Sequence, residues 1–262
     1  MIKNRSIIII CLLASLLVLF LAFSISRKSQ KLMDNFSKSP IDHKLRNEMI
    51  KKKIWNITCP ITLDRLTLLR VSYIDFDGNN HDDGELVVFD VIADHVLAIF
   101  KELYDNKFPI ESINLINKYN GNDELSMEQN NSSSFNCRNI PNSSIISLHS
   151  YGMAIDVNPQ QNPYLITSYE NKKTSVPIFP PIGMEYINRT NIRAGMVETV
   201  FENKETVIDV FKKHGFSIWG GNWNDPIDWH HFQVTREQAE TMVKLPYEEA
   251  VEYFNNLVST NN

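Results

Sequence analysis

Ser147-Leu-His149-Ser-Tyr151-Gly152-Met-Ala154-Ile-Asp156 sets an imidazole and a carboxylate seven residues apart with a glycine between them. In one straight strand the two groups would lie ~23 Å apart on opposite faces, and in one helix ~10 Å apart, so neither regular element lets them share a ligand. The chain must bend between them. Gly152 suits the bend because it tolerates φ values that Tyr151 or Met153 would resist. The spacing therefore predicts His149 on a turn and Asp156 on the strand that follows, where Ala154-Ile-Asp156-Val157 has strand composition and Asn158-Pro159 ends it.

A second cluster, Trp219-Gly-Gly-Asn-Trp223 running into Asp228-Trp-His230-His231-Phe232, can supply what the first lacks. Catalytic zinc takes three protein ligands at about 2.0–2.2 Å and keeps one position for water or substrate. The third ligand is then one of the two neighbouring histidines, and spacing alone does not choose between His230 and His231. His43, His81, His95 and His214 fall in polar, turn and helical contexts without a companion ligand. Asp228, two or three residues upstream of either candidate, is placed to take a proton from water at the metal and return it to a leaving amine. Any one of these residues alone reads as a core histidine or a turn aspartate. Jointly, with glycine at the required bend, they form the donor set of a zinc hydrolase.

The rest of the chain limits where such a site could operate. With 262 residues, 43% of them hydrophobic and 22% charged, one substantial core after an N-terminal appendage is the simplest division. A net charge of -5 and the lack of a basic patch beyond Lys51-Lys52-Lys53 argue against a nucleic-acid partner. Residues 7–25 are an unbroken apolar or small-residue run flanked by Lys3, Arg5, Arg27 and Lys28, and at 1.5 Å per helical residue they can span a bilayer core. Residues 1–26 thus read as an export signal. The length of the run favours a retained anchor over a cleaved signal, with Ala22-Phe-Ser24 as the available cleavage site. Residues 27–58 read as a polar stalk and residues 59–262 as the catalytic domain. In an oxidising compartment Cys59 and Cys137 can form one bridge or remain buried thiols.

Residues 68–76 and 85–91 are β-branched and aromatic, and residues 77–84 supply turn chemistry for a hairpin between them. Asp75, Asp77 and Asn79 alternate like a calcium loop, but Asn80 stands where glycine is needed and the downstream Glu is missing, so a plain turn is preferred. Helices are predicted over residues 93–104, 204–213 and 247–257, and after the Thr235/Gln238 capping box through Lys244. Residues 110–116 read as a strand and 117–134 as a long polar loop. Strands and helices mix without βαβ alternation, so the predicted class is α+β: a small antiparallel sheet with flanking helices carrying the zinc site, preceded by the N-terminal transmembrane or signal helix.

The patterns S-x-H-x-x-G-x-A-x-D and W-G-G-x-W followed by D-x-x-H-F resemble the D-alanyl-D-alanine carboxypeptidase family of zinc metallopeptidases, which also contains L-alanyl-D-glutamate endopeptidases of phage lysins. The likeness extends more loosely over residues 59–232, through Gly84-Glu-Leu-Val-Val, Phe108-Pro-Ile, Ser126-Met and Phe135-Asn-Cys-Arg138. It implies one zinc ion held by His149, Asp156 and His231, the last because it directly precedes Phe232. Asp228 matches the catalytic carboxylate, which is Glu in some relatives and Asp in others. Arg138 matches an arginine that steadies the polarised carbonyl, and Ser147 a substrate-contacting hydroxyl. Tyr151, Trp219 and Trp223 are candidate cleft walls for a peptide, while Arg189 and Arg193 default to solvated surface.

The implied function is an exported or membrane-anchored monomeric peptidase, facing the periplasm or cell exterior, that releases terminal D-Ala from peptidoglycan stem peptides. Two other readings stand beside it: an endopeptidase cutting L-Ala-D-Glu or a cross-bridge, and a wall-binding module that has lost turnover.

Overall fold

The protein is described by a computed structural model covering residues 35–170 and 173–261. Its frame is a long hairpin, Leu66–Ile74 against Asn80–Phe89, in register from Leu66↔Phe89 to Leu69↔Leu86 and, past an irregularity between Val71 and Tyr73, to Ile74↔Asn80. The first strand keeps its expected length but begins two residues earlier, the second runs longer, and the turn is shorter. Asp75 closes it, its Oδ1 accepting from the backbone N–H groups of Asp77 (3.0 Å) and Asn79 (2.8 Å), an Asx turn with no need of calcium. A hydrogen bond from His81, with others from Asn79, holds the Asp75 carboxyl well below the usual range.

The expected stalk is a correction. Ser37–Pro40 joins the hairpin as an edge strand, pairing antiparallel with residues 67–70. His43–Lys51 then forms a helix capped by Asp42, whose carboxylate accepts from Leu45 N–H at 2.7 Å. Ile41, Leu45 and Met49 recur every four residues and are buried in the main core. This thin stripe, diluted by lysines and asparagines, was hidden by the polar average of the segment. The folded domain therefore starts well before Cys59.

Helix Ala93–Asp105 packs Val96, Ile99, Phe100 and Leu103 against the hairpin. Val207–Lys213, Arg236–Met242 and Tyr247–Asn261 close the far side. The Thr235/Gln238 capping box forms reciprocally, with Gln238 N–H donating to Thr235 Oγ1 at 3.2 Å and Thr235 N–H to Gln238 Oε1 at 2.9 Å.

The predicted strand over 110–116 shrinks to Ser112–Ile113, pairing in parallel with Asn131–Ser132. The predicted loop over 117–134 is largely ordered, containing the helix Asp123–Glu128. Buried Asn131 replaces an apolar core there: its side-chain oxygen accepts from Asn114 N–H (2.7 Å), and its amide donates to Asn114 O and Ser126 Oγ, each at 3.0 Å.

Two small antiparallel sheets carry the motif residues. One orders Ile218–Trp219, His231–Gln233 and Ala154–Asp156; the other orders Ile178–Phe179, Tyr164–Leu165 and Ile227–Asp228. The class is mixed helix and sheet, with several small sheets rather than one. Cys59 and Cys137 are bridged, with Cα atoms 5.9 Å apart. No helix among the described residues is long and apolar enough to cross a membrane, and the apolar run over 7–25 lies outside those residues.

Candidate metal centre

His149 sits on the single turn Leu148–Tyr151, which Gly152 ends in the left-handed region at φ 66°. Ala154–Asp156 begins two residues later, so the bend required by the spacing falls at the glycine. Antiparallel pairing then puts His231 directly opposite Asp156. Cross-strand partners have Cβ atoms about 4.5–5.5 Å apart on one face, close enough for their side chains to meet.

The three side chains converge. His149 Nε2 lies 3.2 Å from His231 Nδ1 and 3.2 Å from Asp156 Oδ2, and His231 Nδ1 lies 2.9 Å from Asp156 Oδ1. The outer nitrogens fix the tautomers. His149 Nδ1 faces the carbonyl of Ser134 at 2.6 Å, and His231 Nε2 faces the side-chain oxygen of Gln233 at 2.8 Å. Each outer nitrogen therefore carries the proton and donates, which leaves a lone pair on each inner nitrogen. Two lone pairs and a carboxylate point at one another across about one coordination sphere. Donors held 2.0–2.2 Å from a tetrahedral ion stand roughly 3.3 Å or slightly more apart, so a small widening would seat one.

Electrostatics tell the same story. Burial would raise the Asp156 carboxyl, but the His149 and His230 imidazoles beside it hold it well below its ordinary value. Burial would lower His231, but the hydrogen bond and charge of Asp156 raise it. The site calls for positive charge, which a proton or a metal ion can provide.

Asp228 is buried on the adjoining sheet, opposite Tyr164. Its Oδ1 lies 3.0 Å from His230 Nε2, an ionic contact. His230 is not one of the three converging donors: its Nδ1 donates to Asn162 O at 2.8 Å, and its Nε2 lies 3.0 Å from Asp228 Oδ1 and 4.0 Å from Asp156 Oδ2. Burial opposes its protonation, but Asp228 and Asp156 outweigh that and push its pKa up to about 9.

A cavity of about 750 Å³ opens over these groups, lined among others by Arg138, Ser147, His149, Asp156, Asp228 and His231. Trp223 also lines it, with its ring 5.4 Å from that of His231. Tyr151 and Trp219 do not. Tyr151 is buried in the core, and Trp219 lies over Gly221 with its indole N–H donating to Trp229 O at 2.9 Å. Arg138 is in the wall, ion-paired with Asp123. Arg189, expected in solvent, pairs with Glu198 and stacks 4.7 Å from the Trp229 ring. Sequence reading did not single out Ser134, Gln233, Asn162 or Asp123. Only Gln233, two residues beyond His231 and so on the same strand face, carried a usable signal.

Residues 141–234 match a family model described as D-alanyl-D-alanine carboxypeptidase. The matched segment contains His149, Asp156, Asp228 and His231, and it bears out the resemblance drawn from the two motifs. It supports a metal-dependent peptidase acting on peptidoglycan. No curated protein and no solved structure matches the chain.

Proposed function

We propose that this chain is an exported zinc peptidase that hydrolyses peptidoglycan stem peptides and releases their terminal D-alanine. One observation carries the reading: three electron-pair donors converge in the same cavity as a buried carboxylate, Asp228.

Two imidazoles and one carboxylate suit zinc, leaving a coordination position for chemistry. When bound, the ion supplies Lewis acidity at the scissile carbonyl and makes water a stronger acid. Asp228 accepts the proton of the attacking water and passes it to the departing amine, so one carboxylate serves as base and then acid. Arg138, permanently charged, stabilises negative charge developing on the carbonyl oxygen. Ser147 and Trp223 contact the peptide from the cavity wall. Export by the apolar segment over 7–25 agrees with a substrate that lies outside the cytoplasmic membrane.

The cavity volume also fits an endopeptidase, since about 750 Å³ extends beyond a terminal dipeptide. Mass analysis of products from stem peptides of defined length separates the two: free D-Ala supports the first reading, and a cut within the stem overturns it. Mutation tests the machinery. His149→Ala or Asp156→Ala should lose zinc and activity together, whereas Asp228→Ala should keep zinc and lose turnover. Equal, near-zero release by wild type and Asp228→Ala at stoichiometric zinc would instead make the chain a binding module.

A further inference from the structure

Arg138 is held from several sides at once. Its backbone N–H donates to Ser150 Oγ at 2.8 Å, while that hydroxyl donates to Arg138 O at 2.7 Å. Ser147 N–H donates to the same carbonyl at 3.0 Å. The preceding residue, Cys137, is bridged to Cys59, and its N–H donates to Ile54 O at 3.1 Å. These contacts fix where the side chain starts. They do not fix where the guanidinium ends, because an arginine side chain turns about several bonds, and besides Asp123 its guanidinium donates only a long 3.4 Å bond, from Nη1 to Asn139 O.

Asp123 supplies that second constraint. Its carboxylate pairs with the Arg138 guanidinium, and each side chain is less than a third exposed, at 29% and 28%. Asp123 is itself held: its Oδ1 accepts from Asn136 Nδ2 at 2.8 Å, and the same amide donates to Gly121 O at 3.1 Å. Both charged residues line the metal cavity. Without Asp123, other carboxylates of that cavity, Glu124, Asp156 and Asp228, would compete for the cation. The charge of Arg138 also reaches across the cleft. Burial raises the Tyr164 phenol and Asp228 adds to the rise, while Arg138 opposes it, and Tyr164 is the residue paired with Asp228.

We propose that Asp123 is a positioning residue whose carboxylate holds the Arg138 guanidinium at the cleft wall, turned to receive the polarised carbonyl and kept off Asp156 and Asp228. This rests on the peptidase reading above. Asp123 touches neither metal ligand nor reacting atoms in that scheme and acts only through Arg138.

The test is a double-mutant cycle on the zinc-loaded full chain with a defined stem peptide, measuring kcat, KM, metal content and thermal melting for Asp123→Ala, Arg138→Ala and the pair. Arg138→Ala should lower kcat by about 10²–10³-fold, the usual loss for one oxyanion donor. Asp123→Ala should lower kcat by about 10-fold or more, as misplacement of a catalytic group does, with KM and metal content unchanged. In the Arg138→Ala background it should add no further loss. Asp123→Asn keeps the acceptor for Asn136 and should give the same kinetic loss if the alanine variant folds poorly, while Asp123→Glu should recover part of the rate. An additive loss in the double mutant, or an unchanged or raised kcat in Asp123→Ala, overturns the positioning role while leaving the peptidase reading intact. Wild-type rates in Arg138→Ala remove the oxyanion role and this inference together, and an inactive wild type removes the peptidase reading itself.

Discussion

At Gly152 two demands meet that only one residue type satisfies. The left-handed φ of 66° ends the His149 turn, and a Cβ there would sit 2.7 Å from the backbone nitrogen of Phe89. The first demand was legible from the His149–Asp156 spacing; the second was not, because it depends on the hairpin packing behind the turn. Orientation separated the aromatic residues in a similar way. Trp219 is paired with Phe232, and successive strand residues point to opposite faces, so His231 turns into the cleft while Phe232 and Trp219 turn towards the core. Sequence proximity to a ligand therefore did not make Trp219 a cleft wall. Gln233, on the same face as His231, has a role set by which ring nitrogen faces inward. Gln233→Leu should remove the acceptor that fixes the His231 tautomer and weaken metal binding by roughly 10–100-fold, read by competition with a chromogenic chelator. Gln233→Glu, which keeps an acceptor, should recover most of the affinity; wild-type affinity in the leucine variant would show that the tautomer needs no such partner.

Among the elements, register did what motif spacing could not. Pairing His231↔Asp156 and Phe232↔Ile155 brings His231 to the candidate metal site and sends His230 Nδ1 to the Asn162 carbonyl, a choice that neighbouring histidines leave open in the sequence. Capping chemistry was readable because it is local: Thr235/Gln238 specifies its own helix start. The contact between Ala93–Asp105 and Val207–Lys213 was not readable, since it joins residues over a hundred positions apart. There Glu102 accepts from Lys213 Nζ and faces His214 Nε2, both at 2.8 Å. Burial lowers the His214 pKa below its ordinary 6.5, and the attraction of Glu102 opposes this without cancelling it. The folded chain then binds this proton less readily than the unfolded chain, so the contribution of His214 to stability is present above pH 6.5 and is lost as pH falls through the depressed folded value. Glu102, also depressed, adds its own loss only below its ordinary 4.5. Between pH 7.5 and 5 the urea midpoint of the wild type should fall more steeply than that of His214→Gln. Parallel slopes would remove His214 from the acid response.

Across the whole molecule, long-range ties bring a polar N-terminal segment to the rear of the metal cleft. A polar stalk is the expectation for residues 27–58 because composition averages over a window, while the burial of Ile41, Leu45 and Met49 depends on one face only. That segment ends at Cys59, whose bridge to Cys137 closes a separation of 78 residues beside Arg138. By loop-closure entropy such a crosslink limits the unfolded chain by about 4.5 kcal/mol, within a usual range of about 2–5 kcal/mol for native bridges. A domain of this size shifts its melting temperature by roughly 2–4 °C per kcal/mol, so Cys59→Ser/Cys137→Ser should melt roughly 9–18 °C lower in calorimetry. The candidate metal ligands are tied elsewhere: residues 133–134 pair with Asp156 and receive the His149 ring, and residues 154–156 pair with 231–233. Below its melting temperature the serine variant should therefore hold zinc at wild-type stoichiometry. A bridge that only restrains the unfolded chain predicts a lowered melting temperature with kcat unchanged at 25 °C. A bridge that also anchors the backbone of Arg138 predicts a fall in both, and kcat measured on the zinc-loaded variant well below its melting transition decides between them.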